Sequence, residues 1–138
     1  MQKSELPPDV QTFLHDHIGS YEQLELLWVL RADQGSSWTE EALCARLRLT
    51  SSPVRAALDG LEAARLVEVR LLGSERQYAY LCQSDAVEAT ISRLAASYRE
   101  YPIPIIKLMS ANAIERLRTA ALHTFADAFI VRKDKNRG

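Results

Sequence analysis

The sequence has little cysteine and no long apolar run, and each shortage excludes a class of protein. Its two cysteines, Cys44 and Cys82, are too few and too far apart for a disulfide framework or a zinc site, so we expect reduced packing residues. No segment approaches the roughly 20 consecutive apolar residues that cross a bilayer. The start MQKSELPPDV lacks the basic-then-apolar order of a secretory signal. We therefore expect a cytoplasmic protein without membrane contact.

The sequence also lacks the motifs of catalysis and cofactor binding. It contains no GxGxxG or phosphate-binding loop, and no serine, cysteine or carboxylate arrangement has a recognisable base. His15 and His17 lie two apart on a predicted helix and point to different sides, and His123 is distant in sequence, which argues against a shared metal. We predict no catalytic residue, no metal and no cofactor, and a protein that is not an enzyme.

Excess charge of one sign is missing as well. The net charge is −1, but residues 1–50 contain eight Asp or Glu against four Lys or Arg, and the balance reverses from Ala96 onward. A protein that coats nucleic acid without sequence preference relies on many Lys and Arg contacts to phosphate. The charge therefore argues against such a coat protein and leaves room for a specific site on one face.

Helical patterns fill the first half of the chain. Apolar residues recur at helical spacing, with suitable start and stop residues, over 8–18, 20–30, 40–47 and 52–65. Ser20 and Gln23 form a capping-box pattern, and Thr39 is a predicted N-cap that follows a very short strand or bridge at Trp38. Ser52 before Pro53 predicts the cap and the first residue of the fourth helix.

The periodicity changes from helical to alternating near Leu66. Apolar residues alternate over 67–71, Gly73 and Ser74 supply a turn, and the chain returns over 77–81 with Tyr78 and Tyr80 on one face. This pattern predicts a β-hairpin.

A second group of helices is predicted after the hairpin. Ser84 caps a helix over 85–101 that Pro102 and Pro104 either end or kink sharply, and the apolar stretches 103–109 and 113–129 indicate further helices.

The order helix, helix, turn, helix, hairpin predicts a mainly α fold with a small β-hairpin, namely a winged helix-turn-helix with C-terminal helices. Residues 21–81 resemble the winged-helix module of bacterial transcriptional regulators of the MarR-like kind. The likeness is carried by WTEEALCARLRLTSSPVRAALDGLEAARLVEVR and RQYAYL. Such modules usually place a glycine just before the leucine that starts the first wing strand. Here Arg65 stands at that position and Gly60 lies inside the helix, which predicts a differently shaped helix end.

The resemblance implies that 52–65 is the recognition helix, whose exposed side enters a major groove. Arg55 is then the best candidate for bidentate reading of a guanine, while Ser51 and Ser52 suit phosphate at the helix N-terminus. Arginines of the wing and of the turn are expected to contact the DNA backbone or minor groove. The predicted DNA-binding residues are Ser51, Ser52, Arg55, Arg48, Arg46, Arg70 and Arg76.

The C-terminal part carries more apolar surface than an isolated tail can hide, so it packs on the module or on a second chain. We therefore predict a homodimer, divided into a winged module with its N-terminal helix (1–83), a helical packing or dimerisation segment (84–131) and a basic tail (132–138). The tail is either a phosphate-seeking arm or, as the favoured interpretation, a solvated end.

Two hypotheses for function follow from these features. The first is a homodimeric, sequence-specific transcriptional regulator whose partner is double-stranded DNA. The second is a winged-helix module for a protein partner with little or no DNA binding, because Asp59 and Glu62 fall on the helix face that would approach phosphates.

Overall fold

The computed structural model describes residues 6–82 and 84–137, with side chains described as far as Ala126. In chain order the elements are α1 (Pro8–His17), α2 (Tyr21–Ala32), β1 (Trp38–Thr39), α3 (Glu40–Leu47), α4 (Ser51–Ala63), β2 (Val67–Leu72), β3 (Glu75–Tyr80), α5 (Asp85–Glu100) and α6 (Pro102–Arg137). The predicted helix-turn-helix followed by a hairpin is confirmed.

Side-chain caps define the starts of three helices at the predicted residues. Ser20 Oγ accepts from the Gln23 N–H (3.2 Å), and Gln23 Oε1 accepts from the Ser20 N–H (3.1 Å), which completes the capping box of α2. Thr39 caps α3 and Ser84 caps α5, in each case through the N–H three residues later. These bonds satisfy backbone donors that a helix start leaves without a partner.

The start of α4 differs from the prediction. Thr50, not Ser52, is the N-cap residue, and its side chain makes no capping hydrogen bond. Pro53 therefore occupies the third helical position instead of the first. Proline is tolerated there because the first-turn N–H groups have no intrahelical partner in any case.

The three strands form one antiparallel sheet in the order β1-β3-β2. The register of the hairpin runs from Val67 opposite Tyr80 to Leu72 opposite Glu75, and Gly73 makes the turn with a φ of +64°. Trp38 of β1 lies opposite Tyr78, whose ring is buried. The sheet thus joins the wing to the start of the helix-turn-helix.

A single apolar core holds these elements together. Helix α2 contributes Leu24, Leu26, Leu27 and Leu30, all completely or almost completely buried, and packs on α4. Helix α1 packs on α5 and α6 instead, where Arg116 Nη2 donates to the carbonyl of His15 (2.7 Å). The N-terminal helix therefore connects the winged module to the C-terminal helices.

Helix α6 is one continuous helix of 36 residues, where the sequence predicted two. Both prolines lie in its first turn, and neither glycine nor proline interrupts it afterwards, so nothing ends it before Arg137. Ile105 and Met109 are buried, whereas every residue from Ile114 to Ala126 is exposed. The backbone of the predicted basic tail continues the helix to Arg137, and its side chains lie outside the described ones.

Within the described ranges, none of the helices combines the length and the apolar character needed to cross a bilayer.

Candidate nucleic-acid interface

Helix α4 divides into a buried face and an exposed face. The residues on the core side are Val54, Ala57, Leu58 and Leu61, spaced at i, i+3, i+4 and i+7. The residues on the exposed side are Ser51, Ser52, Arg55, Ala56, Asp59 and Glu62. The predicted division is confirmed, and it leaves one complete helix face open to a partner.

Gly60 explains how closely α4 approaches α2. A Cβ at this position would lie 1.6 Å from Nε2 and 2.8 Å from Cδ of Gln23, which is buried and caps α2. The helical glycine therefore has a packing reason that offsets its intrinsic cost of about 1 kcal/mol relative to alanine.

The C-terminal end of α4 is not differently shaped, contrary to the sequence-based expectation. Arg65 adopts the left-handed conformation that a glycine there would take, with a φ of +61°. The Leu66 N–H donates to the Leu61 carbonyl (2.9 Å) and the Arg65 N–H to the Glu62 carbonyl (3.0 Å), which is the Schellman pattern. The chain therefore passes from α4 to the wing through Arg65, a non-glycine residue whose left-handed backbone is strained.

Arg55 and Ser51, two of the predicted contact residues, share one carboxylate. The Arg55 Nε–H donates to Glu40 Oε1 (2.7 Å), and the Ser51 hydroxyl donates to Glu40 Oε2. The hydrogen bonds from Ser51 and Arg55 hold the pKa of the Glu40 carboxyl below its usual value, and the same bond to Glu40 raises the pKa of Arg55. Glu40 is therefore charged at neutral pH.

The two wing arginines also lie beside acidic groups. Arg70 donates to Ser37 Oγ (3.2 Å) and Glu68 Oε1 (3.3 Å). Arg76 Nη2 lies 3.8 Å from Glu62 Oε1, and its guanidinium lies 5.8 Å from the centre of the Tyr78 ring. Because Glu62 belongs to the exposed face of α4, this contact places the wing arginine beside that face.

Arg46 and Arg48 lie at the turn between α3 and α4. Arg46 is in the last turn of α3, and Arg48 is its C-cap residue in a left-handed conformation, with a φ of +58°. Both are exposed, and neither has a hydrogen bond or ion pair with a side chain that the structure describes. Ser52 is exposed at the N-terminus of α4.

The sequence interpretation did not identify Glu40 as a partner of the predicted contact residues Ser51 and Arg55. Its position in the first turn of α3 suggested only a favourable interaction with the positive end of that helix. The signal that the sequence offered is an acid at the first position of α3 together with an arginine in the first two turns of α4. Spacing alone does not reveal that the two side chains meet.

No protein-family model matches the chain, and no curated protein matches it. Solved structures do match. They include MepR of Staphylococcus aureus in complex with DNA (17% identity over 81% of this chain and 89% of that one, TM-score 0.52) and a MepR mutant bound to an oligodeoxyribonucleotide (15% identity, 86% of each chain, TM-score 0.52). HlyU of Vibrio cholerae matches with 24% identity over 73% of this chain and 98% of that one, with a TM-score of 0.50.

These likenesses concern the fold, since all of the identities are below 25%. They agree with the helices and the small three-stranded antiparallel sheet of this chain. The chain has a winged helix-turn-helix fold.

Proposed function

We propose that this protein is a homodimeric transcriptional regulator that binds a specific double-stranded DNA sequence in the cytoplasm and catalyses no reaction. Helix α4 enters the major groove, where Arg55 reads a base edge and Ser51 and Ser52 approach phosphate. The wing residues Arg70 and Arg76 contact the backbone or the minor groove.

The observation that carries this proposal is the joint position of α4 and the wing. The exposed face of α4 begins with Ser51 and contains Arg55 one turn later, and Arg76 lies 3.8 Å from Glu62 on the same face. Arg46 and Arg48 add two exposed cations at the adjacent turn. Recognition helix, turn and wing therefore present arginines to one partner. That the solved MepR structures of this fold hold DNA supports the choice of DNA as that partner.

The exposed part of α6 supports the homodimer. Its apolar side chains include Ile114, Leu117, Leu122 and Phe125, and the exposed fraction of Leu117 is 72%. A single chain leaves this apolar surface in water, and a second copy would cover it. Two α4 helices about 34 Å apart would then meet successive major grooves of a near-palindrome. We propose 84–131 as the dimerisation segment, 1–83 as the DNA-binding module and 132–138 as a basic tail.

A binding titration tests the DNA proposal. A duplex selected by the protein from a random library and an unrelated duplex are titrated by fluorescence anisotropy at several salt concentrations. Affinity for the selected duplex should fall steeply with salt. Arg55→Ala should reduce the preference for one base by roughly 10-fold to 100-fold, whereas Arg48→Ala should weaken binding to both duplexes equally. Equal and feeble binding of the wild type to every duplex rejects the proposal.

Solution mass tests the dimer. Leu117→Glu places a charge on the exposed apolar surface of α6 and should give a monomer in sedimentation experiments. Thr119→Glu, at another exposed position of the same helix, adds the same charge and should leave the mass of the dimer unchanged. A monomeric wild type, or a Leu117→Glu variant that remains dimeric, contradicts this assignment.

The alternative function is a winged helix that binds a basic protein partner. It is favoured by the carboxylates beside Arg55, Arg70 and Arg76 and by the exposed Asp59 on α4. Under this hypothesis the wild type has no measurable DNA affinity even at low salt. A stoichiometric complex with one protein, abolished by Asp59→Lys, would then decide in its favour.

A further inference from the structure

Glu40 connects the two helices of the helix-turn-helix through both of its carboxylate oxygens. It is the first residue of α3, after the cap residue Thr39, and its two oxygens accept from Ser51 and Arg55 of α4. Arg55, the proposed base-reading residue of α4, is therefore also hydrogen-bonded to α3.

The exposures of the two side chains show which of them lies outside. The side chain of Glu40 is 20% exposed and that of Arg55 is 54% exposed. Glu40 is thus the more buried residue of the pair, and its carboxylate accepts a hydrogen bond from the Nε–H of Arg55. No side chain that the structure describes bonds to the two terminal nitrogens of Arg55. These two nitrogens form the edge of a guanidinium that can match O6 and N7 of a guanine.

We propose that Glu40 is a positioning residue that determines base specificity by holding Arg55 through Nε with its terminal nitrogens directed at the DNA. This inference rests on the proposed DNA-binding function. A side chain held in its binding orientation loses less conformational freedom when it contacts the base, and a base that does not fit that orientation gains less from it.

Glu40 also has an opposite effect on affinity for any DNA. Its negative charge lies near the phosphates and opposes the charge of Arg55, so its removal should strengthen binding that depends on charge alone. Loss of Glu40 should therefore raise affinity for unrelated DNA while lowering discrimination between bases. A residue needed only for folding would lower both quantities, which makes the combination diagnostic.

The same contact admits an opposite interpretation, in which Glu40 withholds Arg55 from DNA. In that case Arg55 leaves the carboxylate before it reaches a base, and the loss of Glu40 would increase both affinity and discrimination. The two interpretations predict changes of opposite sign in one measured ratio.

The experiment compares the full-length wild type with Glu40→Gln, which keeps the shape of the side chain and removes its charge. Kd is measured for the selected duplex, for the same duplex with the base read by Arg55 replaced, and for an unrelated duplex. Glu41→Gln is the matched control, because Glu41 is the next residue, is exposed and carries the same charge. Arg55→Ala and the double variant Glu40→Gln/Arg55→Ala complete a double-mutant cycle.

We expect Glu40→Gln to lower discrimination at that base about 10-fold and to raise affinity for unrelated DNA about 3-fold, with discrimination by Glu41→Gln unchanged within about two-fold. In the Arg55→Ala background the same change should alter discrimination less than about two-fold. Unchanged or increased discrimination in Glu40→Gln, or an equal loss in the Arg55→Ala background, overturns the proposal. A wild type that prefers no duplex is recognised before any variant is compared, and it rejects the proposed function together with this inference.

Discussion

Replacement of Gly60 by alanine tests how closely α4 packs on α2. At a solvent-exposed position inside a helix, replacement of glycine by alanine stabilises the folded protein by about 1 kcal/mol, because alanine has the higher helix propensity. At Gly60 the new Cβ would lie 1.6 Å from Nε2 of Gln23, so the glutamine side chain has to move. Gln23 is buried, and its Oε1 accepts from the N–H groups of Gly19 and Ser20 at the start of α2.

The expected magnitude follows from these contacts. Loss of two hydrogen bonds at the cap costs about 2 kcal/mol, and the crowding adds about 1 kcal/mol or more. After subtraction of the gain in helix propensity, Gly60→Ala should lower the free energy of unfolding by about 2 kcal/mol and the midpoint of thermal unfolding by roughly 5–10 °C.

Denaturant and thermal unfolding followed by circular dichroism measure this change. In a Gln23→Ala background the obstacle is absent, so Gly60→Ala should be neutral or stabilising by up to about 1 kcal/mol. Ala56→Gly, at an exposed position in the interior of the same helix, calibrates the propensity difference. An increase in stability of the wild type on Gly60→Ala would refute the reasoning, because it would mean that Gln23 moves at no cost.

The remaining predictions concern the end of α4 and the hydrogen bonds that Tyr80 and Arg31 donate to Glu88. Arg65→Gly should raise the free energy of unfolding by about 1 kcal/mol, since glycine adopts the φ of +61° without strain; a loss of stability in chemical denaturation contradicts this. Burial acts to raise the pKa of Glu88, but hydrogen bonds from Tyr80 (2.6 Å) and Arg31 (2.7 Å) outweigh it and lower the pKa. The stability from this lowered pKa is present above the unfolded-state value and is lost as the pH falls through the folded-state value. The stability difference between wild type and Glu88→Gln should therefore shrink as the pH is lowered from about 6 to about 3, and a constant difference in unfolding midpoints would exclude this role.

The predictions from sequence succeeded where structure depends on neighbouring residues. The capping box at Ser20, the cap at Thr39 and the two-residue turn after β2 each involve residues within about four positions, so the local pattern is sufficient. The N-cap of α4 was placed wrongly by two residues, because Pro53 is compatible with both the first and the third helical position. Helix α6 was divided in two because a gap in the apolar pattern does not by itself end a helix.

The sequence indicates the arginines of the predicted interface but not the groups that they contact. Arg55 and the wing arginines are recognisable from their places in the motif. Their partners are not: Glu40 precedes Arg55 by 15 residues, and Glu62 precedes Arg76 by 14. Such pairs meet only after α3, α4 and the hairpin have packed, and charge patterns in the sequence carry no distance information across a turn.

The sequence by itself determined the order of the elements and the buried side of each one, because hydrophobic periodicity and capping are local properties of the chain. Tertiary packing decided the rest. It made Gly60 necessary through a side chain of α2, it imposed a left-handed backbone on Arg65, and it brought Glu40 into hydrogen-bonding contact with Arg55. Each of these depends on the distance between groups remote in sequence, and such distances exist only once the core has formed.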